Sequence, residues 1–337
     1  MLTPFLDSLS AEQLDLQGVT AQVIGHSEQG RELHGLRCGD PQLPLVSIVA
    51  GAHPDEPAGP VAAIELLRQW SMQALAQQVQ LAVVPLMDVD GVVAQRDWLT
   101  PWDGAIDLQR YLQHRQRRLP GADREFAWPG APWGGTVLPE CAAAAAFLDE
   151  CGPAIAHCSL HGMFMAHGPW FLLDRPALAD GRLWQDCRDI AAAIDLPLHE
   201  FHRHGDKGFR RSGRGFCTTP SGVHMRRTFL AQNDWDTAAG FGYGSMDSAR
   251  ARAQRHGAPP PLTGISEFPL IATPVGCDAA AIKERFTAVA TGAESVVACY
   301  AATGCSPVPL HDQVRGMIAM VKAVVRAGLR RAACGTR

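Results

Sequence analysis

Several common signatures are missing from this chain, and each absence removes a class of function. No apolar run approaches the roughly 20 residues needed to cross a bilayer, so no membrane span is expected. The opening stretch MLTPFLDSLSAEQLDLQG carries Asp7, Glu12 and Asp15, with neither a basic leader nor a continuous apolar segment, so it reads as no secretory signal. The ten cysteines include no C-x-x-C pair and no short-spaced framework. They read as reduced, mostly packing thiols, and the expected location is the cytoplasm. Neither GYGSM nor TPSGV forms a G-x-S-x-G elbow, which disfavours a serine hydrolase. There is no P-loop lysine motif and no G-x-G-x-x-G opening a helix after a strand, which disfavours nucleotide binding. Long blocks of one charge, internal repeats and low-complexity linkers are absent too, so neither nucleic acid nor a membrane surface is an expected partner.

What remains is the composition of a globular protein: 337 residues, 47% hydrophobic and 19% charged, with a formal net charge of -4. That length supports a sizeable core without help from disulfides or a structural metal. Residues 20–36 alternate in short apolar and polar steps around Gly25 and Gly30, which predicts two antiparallel strands. Leu45 to Ala50 is almost wholly apolar, as expected of a strand buried on both faces. A helical spacing follows it (Val61, Ile64, Leu67), and QLAVVPL then supplies a second buried strand. This order predicts an α/β fold: one domain whose central, mixed and mostly parallel twisted sheet is flanked by helices. Further strands are expected in AIAHCSLHG, WFLLD and GISEFPL, and further helices in CAAAAAFLDEC, at about Ala279 to Tyr300 and at about Pro309 to Ala333. Residues 1–19 are taken as an N-terminal segment and 20–337 as the one folded domain. Between about 174 and 263 the pattern degrades into Gly, Pro and charge apart from one helix, LADGRLWQDCRDIAAAI, and predicts a loop-rich excursion.

The stretch GAHPDEPAG places His53 three residues ahead of Glu56 in a turn just past the buried strand Leu45 to Ala50. Ligands of open α/β sheets bind outside such strand ends, and the spacing puts both side chains on one side of the turn. His161 ends another apolar run and is followed by Gly162. Two histidines and a carboxylate with an open fourth position make a catalytic zinc set of the metallohydrolase type.

The ordered islands GHSEQGREL, GAHPDEPAG, DVDGVVAQR, GAIDLQR, LPECAAAAAFL, SLHG and GISEF resemble the zinc metallocarboxypeptidase family related to pancreatic carboxypeptidase, over roughly residues 20–300. The resemblance implies one zinc ion held by His53, Glu56 and His161, with Glu267 as the general base. It implies that Arg96 polarises the scissile carbonyl and that Arg110, with Gln109 where the family usually has Asn, grips a substrate's free carboxylate. GFGYGSMDSA is similar to the segment that shapes the specificity pocket, which makes Tyr243 a candidate mobile phenol and Met246 a candidate pocket floor for an apolar side chain.

Three functions follow from these readings. The leading one is a zinc metallocarboxypeptidase hydrolysing a C-terminal peptide or amide bond. The succinylglutamate desuccinylase and aspartoacylase branch would use the same ligands on an N-acyl amino acid, and a non-catalytic binding protein on the same fold is the third. HEFHRHGDKGFRRSGRG sets His199, His202 and His204 beside Lys207, Arg210, Arg211 and Arg214, and reads as a solvated basic loop that could rim the site and attract acidic substrates.

Overall fold

The computed structural model describes residues 16–335 apart from 100–103, 105, 201–207 and 220. One ten-stranded sheet organises the chain. Its strands are β1 (Val19–His26), β2 (Glu32–Cys38), β3 (Leu45–Ala50), β4 (Gln80–Val84), β5 (Ala154–Ala166), β6 (Trp170–Leu173), β7 (Arg211–Gly213), β8 (Phe216–Thr218), β9 (Leu262–Ala272) and β10 (Ser306–Pro307). The spatial order is β1-β2-β4-β3-β5-β9-β6-β8-β7, with β10 paired to β9. The centre, β4-β3-β5-β9, is parallel, antiparallel pairings flank it, and β6 and β8 form a further parallel pair. This is the mixed α/β architecture expected from the sequence.

The central strands are apolar because helices cover both faces. Every residue of β3 is buried, Ile48 and Val46 completely. On one side, the helices Ala58–Arg68 and Leu310–Gly335 pack on β5 and, for the latter, β9. On the other, Pro139–Cys151 covers β1, β2 and β4, while Ser245–Arg255 covers β5. Large buried side chains such as Trp70, Phe268 and Met320 fill the first layer, and Trp128, Phe147 and Leu148 the second. Among the described residues no helix is long and apolar enough to cross a membrane.

Two segments differ from their sequence-based expectation. The helix expected at about Ala279 to Tyr300 is two helices, Ala279–Thr291 and Val296–Thr303, because Gly292 closes the first in the left-handed conformation (φ +77°). The stretch between β6 and β9 is also more ordered than its composition suggests. Besides the expected helix Gly181–Ala193 it holds Gly222–Ala231, Trp235–Ala239 and Ser245–Arg255, as well as β7 and β8. His202, His204 and Lys207 lie outside the described residues, whereas His199 rests against His167 with ring centroids 5.1 Å apart.

Candidate metal centre

The turn after β3 begins at Gly51, which takes φ +66° where an added Cβ would meet Leu86 at 2.6 Å. Asp88 N–H donates to the Gly51 carbonyl (2.8 Å) and Glu56 N–H to that of His53 (3.2 Å), so the turn is pinned at both ends. His53 and Glu56 are thereby aimed at β5, which presents His161 from the neighbouring strand. His53 Nδ1 is 3.0 Å from Glu56 Oε1, His161 Nδ1 is 3.0 Å from Glu56 Oε2, and the two Nδ1 atoms are 3.1 Å apart. All three side chains are buried. Donors of a tetrahedral zinc ion with bonds of about 2.0–2.1 Å lie about 3.3 Å from one another, so two nitrogens 3.1 Å apart, each facing a different oxygen of the Glu56 carboxylate at 3.0 Å, fit the ion. Two imidazole nitrogens turned towards each other beside a carboxylate need a proton or a metal ion between them.

Electrostatics point the same way. Burial opposes charging His53, but Glu56 and Asp123 outweigh it and raise its pKa to about 10. His161 is likewise raised, burial again being overcome by Glu125 and Glu56. Glu56 is held well below the usual carboxylate range, since His53 and Arg117 outweigh its burial. The cluster draws cations, as a divalent metal site does.

Each histidine that offers Nδ1 to the triangle turns its Nε2 to a carboxylate. His53 Nε2 is 3.2 Å from Asp123 Oδ1, and His161 Nε2 is 3.2 Å from Glu125 Oε2 and 2.9 Å from Ser159 Oγ. Such outer partners fix the tautomer and orientation of ligating imidazoles. The triangle opens into a cavity of about 450 Å³. Glu267 stands in its wall directly opposite His161 in the parallel β5–β9 register. Burial, and then Glu56, push its carboxyl up to about 8. Arg115 and Arg117 line the same cavity, and Phe126, Trp170, Leu172, Phe209 and Ile265 make much of its apolar wall.

His53, Glu56, His161 and Glu267 therefore converge. Arg96, Gln109, Arg110 and Tyr243 are not among the residues lining this cavity. Asp107 accepts a hydrogen bond from Arg110 N–H and caps the helix Leu108–His114, so DLQR is a helix start. Arg110 lines a separate groove with Gln95, Trp98 and His114, and the Gln109 amide lies beside Gly292. Arg96 opens the short helix Arg96–Leu99 and is exposed. Tyr243 forms an isolated bridge with Trp128, its ring against Trp133. Met246 is buried behind the apolar wall, packed with Trp170, Leu172, Phe209 and Ile265. Sequence reasoning missed Arg115, Arg117, Asp123 and Glu125. The signal available was the run HRQRRLPGADREF, where a second basic segment leads through Gly121 into alternating acids.

A family model described as zinc carboxypeptidase matches residues 4–140, a segment that contains His53, Glu56, Arg117, Asp123 and Glu125. Among solved structures, a candidate metallopeptidase from Shewanella amazonensis is similar at 16% identity, covering 96% of this chain and 90% of that one with a TM-score of 0.55. A second, from Shewanella denitrificans, has 14% identity, coverages of 96% and 87%, and a TM-score of 0.55. The fold is similar to that of carboxypeptidases. A candidate carboxypeptidase from Burkholderia mallei is similar too, at 14% identity, coverages of 97% and 67%, and a TM-score of 0.50. No curated protein matches the chain.

Proposed function

We propose that the chain is a zinc-dependent hydrolase that cleaves a C-terminal peptide or amide bond. The observation that carries this reading is the shared cavity: an N, N, O ligand triangle on two elements, with the Glu267 carboxyl one strand away and in register with His161. Zinc held by His53, Glu56 and His161 would supply a Lewis acid that lowers the pKa of water and of nearby groups and polarises a carbonyl. Glu267 takes the water proton and passes it to the leaving amine, a role suited to a buried carboxyl titrating near the working pH. Arg117, 2.7 Å from Glu56 Oε1 at the cavity mouth, takes the carbonyl-polarising role expected of Arg96. Arg115 is steadied by Tyr111 Oη at 3.1 Å and by the rings of Tyr111 and Phe164. We assign it, in place of Arg110, to the free carboxylate of the substrate, since a guanidinium fork matches that group. The wall of Trp170, Leu172, Phe209 and Ile265, backed by Met246, suits an apolar side chain beside the scissile bond.

Metal analysis and paired assays test this. About one zinc per chain is expected, lost in His161→Ala. Peptides with a free C-terminus are expected to be hydrolysed in preference to the same peptides amidated and to N-acyl amino acids. Glu267→Gln should keep its zinc while turnover drops by about 10²–10⁴. Preferred cleavage of N-acyl amino acids would reassign the enzyme to the deacylase reading, and undiminished turnover by Glu267→Gln would remove the assigned base.

A further inference from the structure

The residues behind the ligand triangle come from one tripeptide, Asp123-Arg124-Glu125, whose side chains alternate between two destinations. Asp123 and Glu125 face the cavity and reach His53 and His161. Arg124 points the other way, is 1% exposed, and enters a cage of acids. Its guanidinium donates to Glu140 Oε1 (2.9 Å), to Glu28 Oε2 (3.0 Å) and to the Ala122 carbonyl (2.8 Å), and its Nε lies 3.6 Å from Asp88 Oδ1. The Arg124 carbonyl is held as well, accepting from Trp128 Nε1 (2.9 Å) and from Cys141 Sγ (3.2 Å). A buried guanidinium bound on several sides is costly to move, so the backbone of this tripeptide is anchored independently of the cavity.

Glu125 is fixed at its other end too. Its Oε1 accepts from Ser245 Oγ (2.9 Å), a buried hydroxyl in the first turn of the helix Ser245–Arg255, while Oε2 faces His161 Nε2 and Ser159 Oγ. With both carboxylate oxygens engaged and the residue nine-tenths or more buried, Glu125 is shaped to hold an imidazole in place. We propose that Glu125, seated by Arg124 and Ser245, is a positioning residue that fixes the Nδ1-ligating tautomer and orientation of His161, so that this single anchored tripeptide sets both histidines of the metal centre. The proposal rests on His53, Glu56 and His161 being zinc ligands, and it concerns how the ion is held, whatever the substrate.

The test compares wild type, Glu125→Gln and Glu125→Ala in the full chain. Three readouts are used: zinc dissociation constants from competition with a chelator, visible absorption after cobalt(II) substitution, and far-UV circular dichroism. Loss of an outer partner typically weakens metal binding by about tenfold to a hundredfold. Glu125→Ala is expected to weaken zinc by that factor and to change the cobalt bands while the dichroism stays that of wild type. Glu125→Gln, which keeps an acceptor of the same length without the charge, is expected to fall between the two. Should Glu125→Ala not fold, the Glu125→Gln comparison decides alone. Zinc binding within twofold of wild type in the folded variants, with unaltered cobalt bands, overturns the positioning role and leaves the metal centre standing. A wild-type chain that binds no zinc overturns the metal centre and the positioning role with it.

Discussion

Arg117 is subject to two opposing demands. Its guanidinium donates to Glu56 Oε1 (2.7 Å) and Asp55 Oδ1 (3.2 Å), holding the Glu56 carboxyl low, while its side chain is half exposed at the cavity mouth. A positive charge this close to a ligand carboxylate competes with a second cation for the same oxygen, even after screening by solvent. Arg117→Ala is therefore expected to bind zinc about threefold to tenfold more tightly, while kcat/KM falls by about 10²–10³ through loss of a donor to the reacting carbonyl. Chelator competition and steady-state kinetics on one preparation measure both. Weaker zinc binding would show instead that Arg117 braces Glu56. The same residue marks where the sequence was hard to read. DLQR and HRQRR both set an arginine beside a glutamine, and only the capping hydrogen bond from Arg110 N–H to Asp107 marks the first as a helix start and not a site segment. His53, Glu56 and His161 were legible because each follows or ends a buried run, and strand ends are where side chains of this fold class meet.

The helix Ala58–Arg68 leaves the His53–Glu56 turn and lies against β5 just where β5 delivers His161. Its contact depends on Gly59, where an added Cβ would meet the Leu160 carbonyl oxygen at 2.6 Å, far inside contact distance. Gly59→Ala must push the helix off the strand, parting Glu56 from His161. A loss of about 1–3 kcal/mol in urea unfolding is expected, with weakened zinc binding. Gly181→Ala is the matched control: it also opens a helix, its Cβ meets nothing within 4 Å, and its stability should be unchanged or slightly raised. Equal effects at the two glycines would remove the close-contact argument. Elements as a class were readable where burial dictates composition, as in β3, β5 and β9, and where a helix is capped, as at Asp180 for Gly181–Ala193. The stretch between β6 and β9 was less readable because its helices are short and mostly half-buried. Gly222–Ala231 hides only Gly222 fully, so its apolar spacing is weak although Ser221 caps it. Proline and glycine between such helices read as loop when the helices themselves lack a buried face.

At the scale of the whole molecule, one face of β5 carries a polar column through the core: His157, Ser159 and His161, all buried. Only the last reaches the cavity. His157 lies deeper, its Nδ1 2.8 Å from Ser47 Oγ on β3, and Ser47 also accepts from Arg252 Nη2 (2.9 Å). Burial, with Arg252 and Arg250 adding repulsion, lowers the His157 pKa to about 3. A depressed histidine favours the folded state most when it is neutral in both states. Above about pH 6.5, where the unfolded imidazole is also neutral, the full contribution is present. As pH falls from 6.5 towards 3, the unfolded chain takes up a proton that the folded chain refuses, and stability is lost at up to about 1.4 kcal/mol per pH unit. His34 is lowered by burial too, so the wild-type curve alone does not isolate one residue. His157→Asn retains a partner for Ser47 and removes the titrating group. Its stability deficit relative to wild type is expected to shrink by about 2 kcal/mol between pH 7 and pH 5, measured by urea unfolding at fixed ionic strength. A deficit constant across that window would mean that His157 takes up its proton in the folded core as readily as in the unfolded chain, and the Ser47–His157–Arg252 cluster would then have to be redrawn with a counter-charge.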